Sequence, residues 1–396
     1  MRLLHTSDWH LGRSFHGSAL LADQAAALDR IVELAAEAEV DAVLIAGDIY
    51  DRAIPPAEAV ELFNDTLARL QQSGAAVVAI AGNHDSHVRV SVYDPLLSRF
   101  GVTIRGDVSR ADQPVLVEPR RGGPPVAIYP LPYLDPAVDG AALLRDAEPA
   151  LAEAASGRLR HEEITRLALA RIQRDRCARP EHRSVLVAHT FVAGGEGCES
   201  ERELTIGNLE RVSVPTFAGF DYVALGHLHG SQQLDGPRLA YSGTPLAYSF
   251  SEQHQTKSVR LVELAASGEP SVEVVPLAVG RALCTLEGPI EELLRDPRFA
   301  AAVEARVRVI LTDELLPLQA MARLRQRFPH VAELRHRPPE LQPARAGDRN
   351  TQVREASSPF QLAAAFFADQ QGREAGEAEA ALLREALQAA ARAGER

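Results

Sequence analysis

Five short β-type runs in this chain each end in residues that bind metal ions. Arg2 to His5 leads into Asp8 and His10; Ala42 to Ala46 leads into Gly47, Asp48 and then Asp51; Ala76 to Ala81 leads into Gly82, Asn83, His84 and Asp85. Ser184 to Ala188 ends in His189, and Asp221 to Leu225 ends in Gly226, His227, Leu228 and His229. In an open α/β sheet the carboxyl ends of the strands face one crevice, so these ends can serve a single site. Few folds bring that many strand ends together.

The rest of the pattern agrees with an α/β domain. Leu20 to Glu39 and Ala57 to Gln72 carry apolar residues at helical spacing, the second after Pro55 and Pro56. Further strands are expected at Val126 to Tyr129, Leu239 to Ser242 and Ser258 to Leu264. Strand and helix alternating at this rhythm predict a mainly parallel sheet near the start. A chain of 396 residues has room for two or three domains. We expect the first at 1–279, followed by a small α+β module at 280–337 with strands at Arg281 to Leu286 and Val307 to Thr312 and helices at Ile290 to Ala305 and Leu316 to Phe328. A polar linker at 338–357 precedes two helices at 358–396, opened by Ser358 as N-cap and Pro359 at the first helical position. Their apolar residues either fold back on the chain's own core or dock on a partner.

Composition narrows the setting. Cys177, Cys198 and Cys284 are an odd number at wide spacing, which fits neither a disulfide framework nor a thiolate zinc site; buried thiols in a reducing compartment are expected. Asp8 interrupts the N-terminus before any secretory h-region, and the longest apolar run, near Ala75 to Ala81, cannot span a bilayer. The expectation is a cytoplasmic protein without a membrane anchor.

Each motif alone has an ordinary explanation. Asp-Trp-His is an exposed acid beside a packed imidazole, and Asn and Asp after Gly are favoured in any turn. Gly-His-Leu-His is an ordinary loop with two exposed histidines. All of these explanations would have to hold at once, each after a β run. Imidazole favours transition ions, carboxylate and amide oxygens are harder donors, and a carboxylate with two oxygens can bridge a pair of ions. Glycines 47, 82 and 226 would allow sharp turns off the strand ends.

In this order the motifs resemble the calcineurin-type metallophosphoesterases. The fuller wording at His5 to Gly12, Gly194 to Arg202, Asp221 to Gly230 and Tyr241 to Phe250 resembles that family's nuclease subunits of DNA repair complexes, over most of residues 1–265. The resemblance implies a four-layer α-β-β-α core holding two divalent ions, most often manganese, with a small α+β capping module and C-terminal helices. By motif position, Asp8, His10 and His229 would hold one ion, Asn83, His189 and His227 the other, and Asp48 both. His84 would be catalytic and not a ligand, stabilising the transition state or protonating the leaving oxygen. The implied chemistry is phosphodiester hydrolysis by hydroxide generated between two cations. ATP-dependent 3'-5' exonuclease action on duplex ends and endonuclease action at hairpins belong to the same resemblance. So do a long coiled-coil ATPase, docked through Phe360, Phe366, Phe367, Leu383 and Leu387, and a homodimer through the nuclease domain. Asp51 stands where some relatives carry a second histidine; an anion there is read as orienting a ligand or a turn. A phosphodiesterase for small esters, or a non-catalytic scaffold of the same fold, remain as alternatives.

The formal charge of -12 argues at first against nucleic acid. Its distribution answers much of that objection. Residues 158–183 carry eight Arg against four acids, and 321–354 eight Arg against three. These segments are either solvated faces or phosphate contacts.

Overall fold

Runs that are apolar at every position are strands covered on both faces. Ala42–Ile45 and Val126–Leu131 are such runs, buried throughout. The computed structural model describes residues 1–145, 147, 159–201, 211–338, 358–371 and 373–394. The chain divides into two compact units, Met1–Cys284 and Thr285–Arg396. The expected linker falls almost wholly outside the described residues, as do Arg158, Arg345, Arg349 and Arg354.

The first unit holds two six-stranded sheets where the sequence pattern predicts one. In the first, Arg2–Thr6, Ala42–Ile45, Ala76–Ile80 and Val102–Arg105 run parallel, and the hairpin of Ser258–Leu264 and Pro270–Pro276 joins antiparallel beside Arg2–Thr6. In the second, Leu239–Tyr241, Tyr222–Gly226, Arg183–His189 and Val126–Leu131 run parallel, with short antiparallel strands at both edges. Alternation along each strand sorts its side chains into layers. Leu3, Leu44, Val78 and Ile80 meet Ile128, Val185, Val187 and Ala224 between the sheets. Leu4, Val43 and Ile45 face outward onto Leu28, Ile31, Phe63 and Leu70 of the helices Leu21–Glu37 and Ala57–Gln72. Tyr129, Leu186 and Leu225 face outward onto Leu143, Ile164, Leu167 and Ile172 of the helices Pro136–Arg145 and His161–Cys177. Three apolar layers between four structural ones make an α-β-β-α sandwich.

Leu283–Gly288, which begins two residues before the second unit, forms with Arg306–Leu311 and Val331–His336 a three-stranded sheet whose last strand the sequence pattern does not reveal. The helix expected over 290–305 stops at Arg295 and resumes as a 3-10 turn at Pro297–Ala302, because Asp296 caps the turn that Pro297 begins. The helix expected from Leu316 begins only at Ala320 and leaves Leu316 and Leu318 exposed. At the C-terminus, Ser358 Oγ accepts from Gln361 N–H and opens Pro359–Gln371, which packs on Glu377–Gly394. Arg384 covers the Phe360 ring and Arg373 the Phe367 ring, whereas Leu362, Phe366 and Leu382 face outward.

One expectation needs correction. The cysteines are not buried thiols: Cys177 is exposed, and Cys198 and Cys284 are half-buried. Three arginines of 160–183 are tied to their own fold. Arg171 donates to Ser109 O, Arg183 to Leu264 O and Ala265 O, and Arg176 lies over Phe220 and bonds Gly219 O. Among the described residues no helix is long and apolar enough to cross a membrane.

Of the glycines expected to make turns, only Gly47 takes a left-handed φ, at +88°. Gly226 is needed for close approach instead, since a Cβ there would lie 1.8 Å from Ala46 O in the facing sheet. Gly226→Ala should therefore push the sheets apart and lower stability by about 1–3 kcal/mol, read from urea denaturation.

Candidate metal centre

The strand ends converge at one rim of the two sheets, and the backbone there is unusual. Asp8, His10, Asp48 and His227 have left-handed φ of 53, 45, 49 and 107°, which non-glycine residues rarely adopt. Tertiary contacts hold them there. Asp8 N–H donates to Gly47 O at 3.0 Å and His10 N–H to Asp48 O at 2.9 Å, so the first two loops are laced together. Between Asp8 and His10, Trp9 turns into the core against Phe63, and its Nε1 donates to Thr6 Oγ1 at 2.9 Å. With the indole anchored, its two neighbours are presented to the rim.

All seven residues expected as ligands meet there. Asp8, His10 and His229 offer donor atoms within 4.8 Å of one another, as do Asp8, Asp48 and His189. His10 Nε2 and His229 Nε2 are 3.1 Å apart. His189 Nε2 and His227 Nδ1 both reach Asn83 Oδ1, at 2.9 and 3.1 Å. Asp48 lies between the two sets, its Oδ2 3.7 Å from His10 Nε2 and 3.5 Å from His189 Nε2.

Burial and charge set the protonation of this cluster. Burial holds His227 down at about 3, and His10 and His229 well below the usual imidazole range, so these rings are neutral and their nitrogens open to a cation. Burial pushes Asp8 up to about 8. At Asp48 burial acts the same way but is outweighed by His189 and His10, which keep the carboxylate well below its usual value; burial likewise opposes His189, which Asp48 lifts to about 9. His10 Nδ1 is buried with no hydrogen-bond partner. Four imidazoles, three of them held neutral, with two carboxyl groups and an amide oxygen, aimed at two points on either side of Asp48, fit a pair of divalent transition ions.

His84 stands beside this set. Its Nδ1 meets the Asp51 carbonyl at 2.8 Å; a carbonyl only accepts, so Nδ1 carries the proton and Nε2 is left for chemistry. The His84 ring packs edge-on against His10 at 4.7 Å, and His84 N–H donates to Asp48 Oδ1 at 2.8 Å. Asp51 thus orients His84 through its backbone, while its side chain lies 3.4 Å from Arg13.

Sequence reasoning passed over a supporting layer. Asp85 accepts from Ile49, Tyr50 and Gly82 N–H at 2.9–3.0 Å and ties two ligand loops together. Ser200, Glu201, Glu252 and Lys257 surround His229. A signal for the last was available: of 42 Lys+Arg residues, Lys257 alone is lysine. Asp85→Asn would turn an amide N–H₂ toward buried donors and should cost about 1–3 kcal/mol in chemical denaturation.

A family model described as calcineurin-like phosphoesterase matches residues 1–231, and one described as type 5 capsule protein repressor C-terminal domain matches 279–371. The SbcD subunit of the nuclease SbcCD of Bacillus subtilis is 32% identical over 345 residues, covering 85% of each chain. That of Escherichia coli K12 is 32% identical over 301 residues, 74% of this chain and 72% of the relative. A solved dimetal phosphatase from Danio rerio is 11% identical with a TM-score of 0.40, over 70% of this chain and 96% of that one. The chain belongs to the calcineurin-like phosphoesterases, and within them to the SbcD nucleases, which are metal-dependent phosphodiester hydrolases.

Proposed function

We propose that this chain is the nuclease subunit of a DNA-processing complex, cutting duplex ends from 3' to 5' and opening hairpins with an SbcC-type coiled-coil ATPase. The observation that carries this reading is Asp48, a buried carboxylate within ligand reach of two converging donor sets. Asp8, His10 and His229 would hold one manganese ion, Asn83, His189 and His227 the other, with Asp48 common to both. When bound, such a pair lowers the pKa of a shared water and neutralises phosphodiester oxygens. His84, its Nδ1 proton held by the Asp51 carbonyl, turns Nε2 toward the leaving oxygen; in its imidazolium form, with a second proton taken up on Nε2, it would deliver that proton or stabilise developing charge and be left as the neutral Nδ1–H ring.

Residues 280–337 would form the capping module and 358–396 the ATPase-docking helices. Outward-facing Leu362, Phe366 and Leu382 support a docking surface rather than an internal one. A helix pair of this size with apolar residues turned outward suits a groove on a partner. Val92, Tyr93, Leu96 and Phe100, each more than half exposed just beyond the His84 loop, favour a second copy of the chain as a further partner. With much of the arginine excess engaged internally, the ATPase would supply a large share of the hold on DNA.

Hairpin DNA incubated with manganese, with and without the ATPase, and bis-p-nitrophenyl phosphate as a small control ester, separates the readings. Cleavage of DNA that the ATPase and ATP enhance supports the nuclease; turnover of the small ester alone favours a small-molecule phosphodiesterase, and no turnover a scaffold. His84→Gln should keep two bound ions by elemental analysis and lose cleavage by about 10²-fold or more. Loss of metal would instead make His84 a ligand. Removing residues 358–396 should abolish co-purification with the ATPase at unchanged metal content.

A further inference from the structure

His229 is held at three atoms. Its backbone N–H donates to Glu201 Oε1 at 2.9 Å, its Nδ1 meets Ser200 Oγ at 2.6 Å, and its carbonyl accepts from Lys257 Nζ at 3.0 Å. Ser200 and Lys257 both continue to one buried acid, Glu252, at 2.6 Å to Oε1 and 2.5 Å to Oε2. Tyr248 N–H and Ser249 Oγ also donate to Oε1, at 3.1 and 2.9 Å.

The protons in this chain of contacts have one consistent arrangement. Glu252, paired with an ammonium, is a carboxylate and only accepts. The single hydroxyl proton of Ser200 therefore points at Glu252, and Ser200 Oγ can only accept from His229. Nδ1 of His229 must carry the proton, which leaves the lone pair on Nε2, the atom 3.1 Å from His10 Nε2. We propose that Ser200, Glu252 and Lys257 are positioning residues that lock His229 with its Nε2 lone pair turned to the first ion of the pair. This rests on the two-ion reading above.

Two further observations sharpen it. His189, in the other donor set, makes its equivalent Nδ1 contact to the Ala46 carbonyl at 2.8 Å, so its orientation comes from the main chain. The side-chain relay therefore governs one half of the centre. The choice of lysine is the second. Lys257 Nζ also meets Thr244 Oγ1 and Gln255 Oε1, both at 2.8 Å, so its acceptors surround a point. A planar guanidinium fork cannot serve acceptors arranged that way. A chain that uses arginine at every other cationic position keeps its single lysine here.

The test is calorimetric titration of metal-free, full-length protein with Mn²⁺. Wild type should take up two ions. Ser200→Ala should weaken one ion about 10- to 100-fold and leave the other at wild-type affinity, and Lys257→Arg should do the same. Ser200→Thr, which keeps the hydroxyl, should restore both. Glu252→Gln should match Ser200→Ala, and if it does not fold Ser200→Ala decides alone. Unchanged affinity for both ions in Ser200→Ala overturns the relay, and so does an equal fall in both. Wild type that binds fewer than two ions overturns the two-ion reading itself, a separate failure.

Discussion

A carboxylate taken out of water must be given positive charge, and much of this architecture answers that demand at Asp48. Burying an unpaired carboxylate costs several kcal/mol. Asp48 is 2% exposed, at the rim where both sheets end. One donor set reaches it from each side, and His84 approaches through its backbone N–H. His189, 3.5 Å from the Asp48 carboxylate, offsets its charge, and the neighbouring neutral imidazoles are suited to coordinate a cation.

Bringing partners to Asp48 strains the chain, and the core bears that strain. Left-handed backbone at a non-glycine residue costs on the order of 1–3 kcal/mol, and four of the seven positions proposed to bind metal adopt it. Such conformations persist only where the surroundings over-determine them. Here Trp9 in the core, the hydrogen bonds between the first two loops, and Asp85 with its three N–H donors do so. The apolar layer between the sheets fixes the distance across which His189 and His227 face Asp8 and Asp48. Gly226, pressed against Ala46 O, marks how close that distance is.

The convergence of the seven residues was legible in the sequence because each follows an apolar run that must be a strand, and parallel strand ends converge. What stayed hidden has a physical reason in each case. A strand buried on both faces has no alternation, so the pattern could not tell one sheet from two stacked ones. Pro270–Pro276 is largely exposed and is bounded by a proline at each end, and Val331–His336 ends in Arg335 and His336, so neither reads as a strand. The helix from Ile290 looked continuous until Asp296 and Pro297 are weighed as a new start. Ser200, Glu252 and Lys257 lie far from His229 in sequence, and hydrogen bonds across such separations leave no period to find. An odd number at wide spacing excludes a disulfide framework but says nothing of burial, which is why the cysteines depart from expectation.

The whole arrangement turns on Asp48 being shared by two ions. Crystals grown with Mn²⁺ and measured on either side of the manganese absorption edge test it most directly. Two anomalous peaks about 3.5–4 Å apart, flanking the Asp48 carboxylate, are the predicted result. A single peak, or peaks that leave Asp48 outside the coordination of either ion, would contradict it.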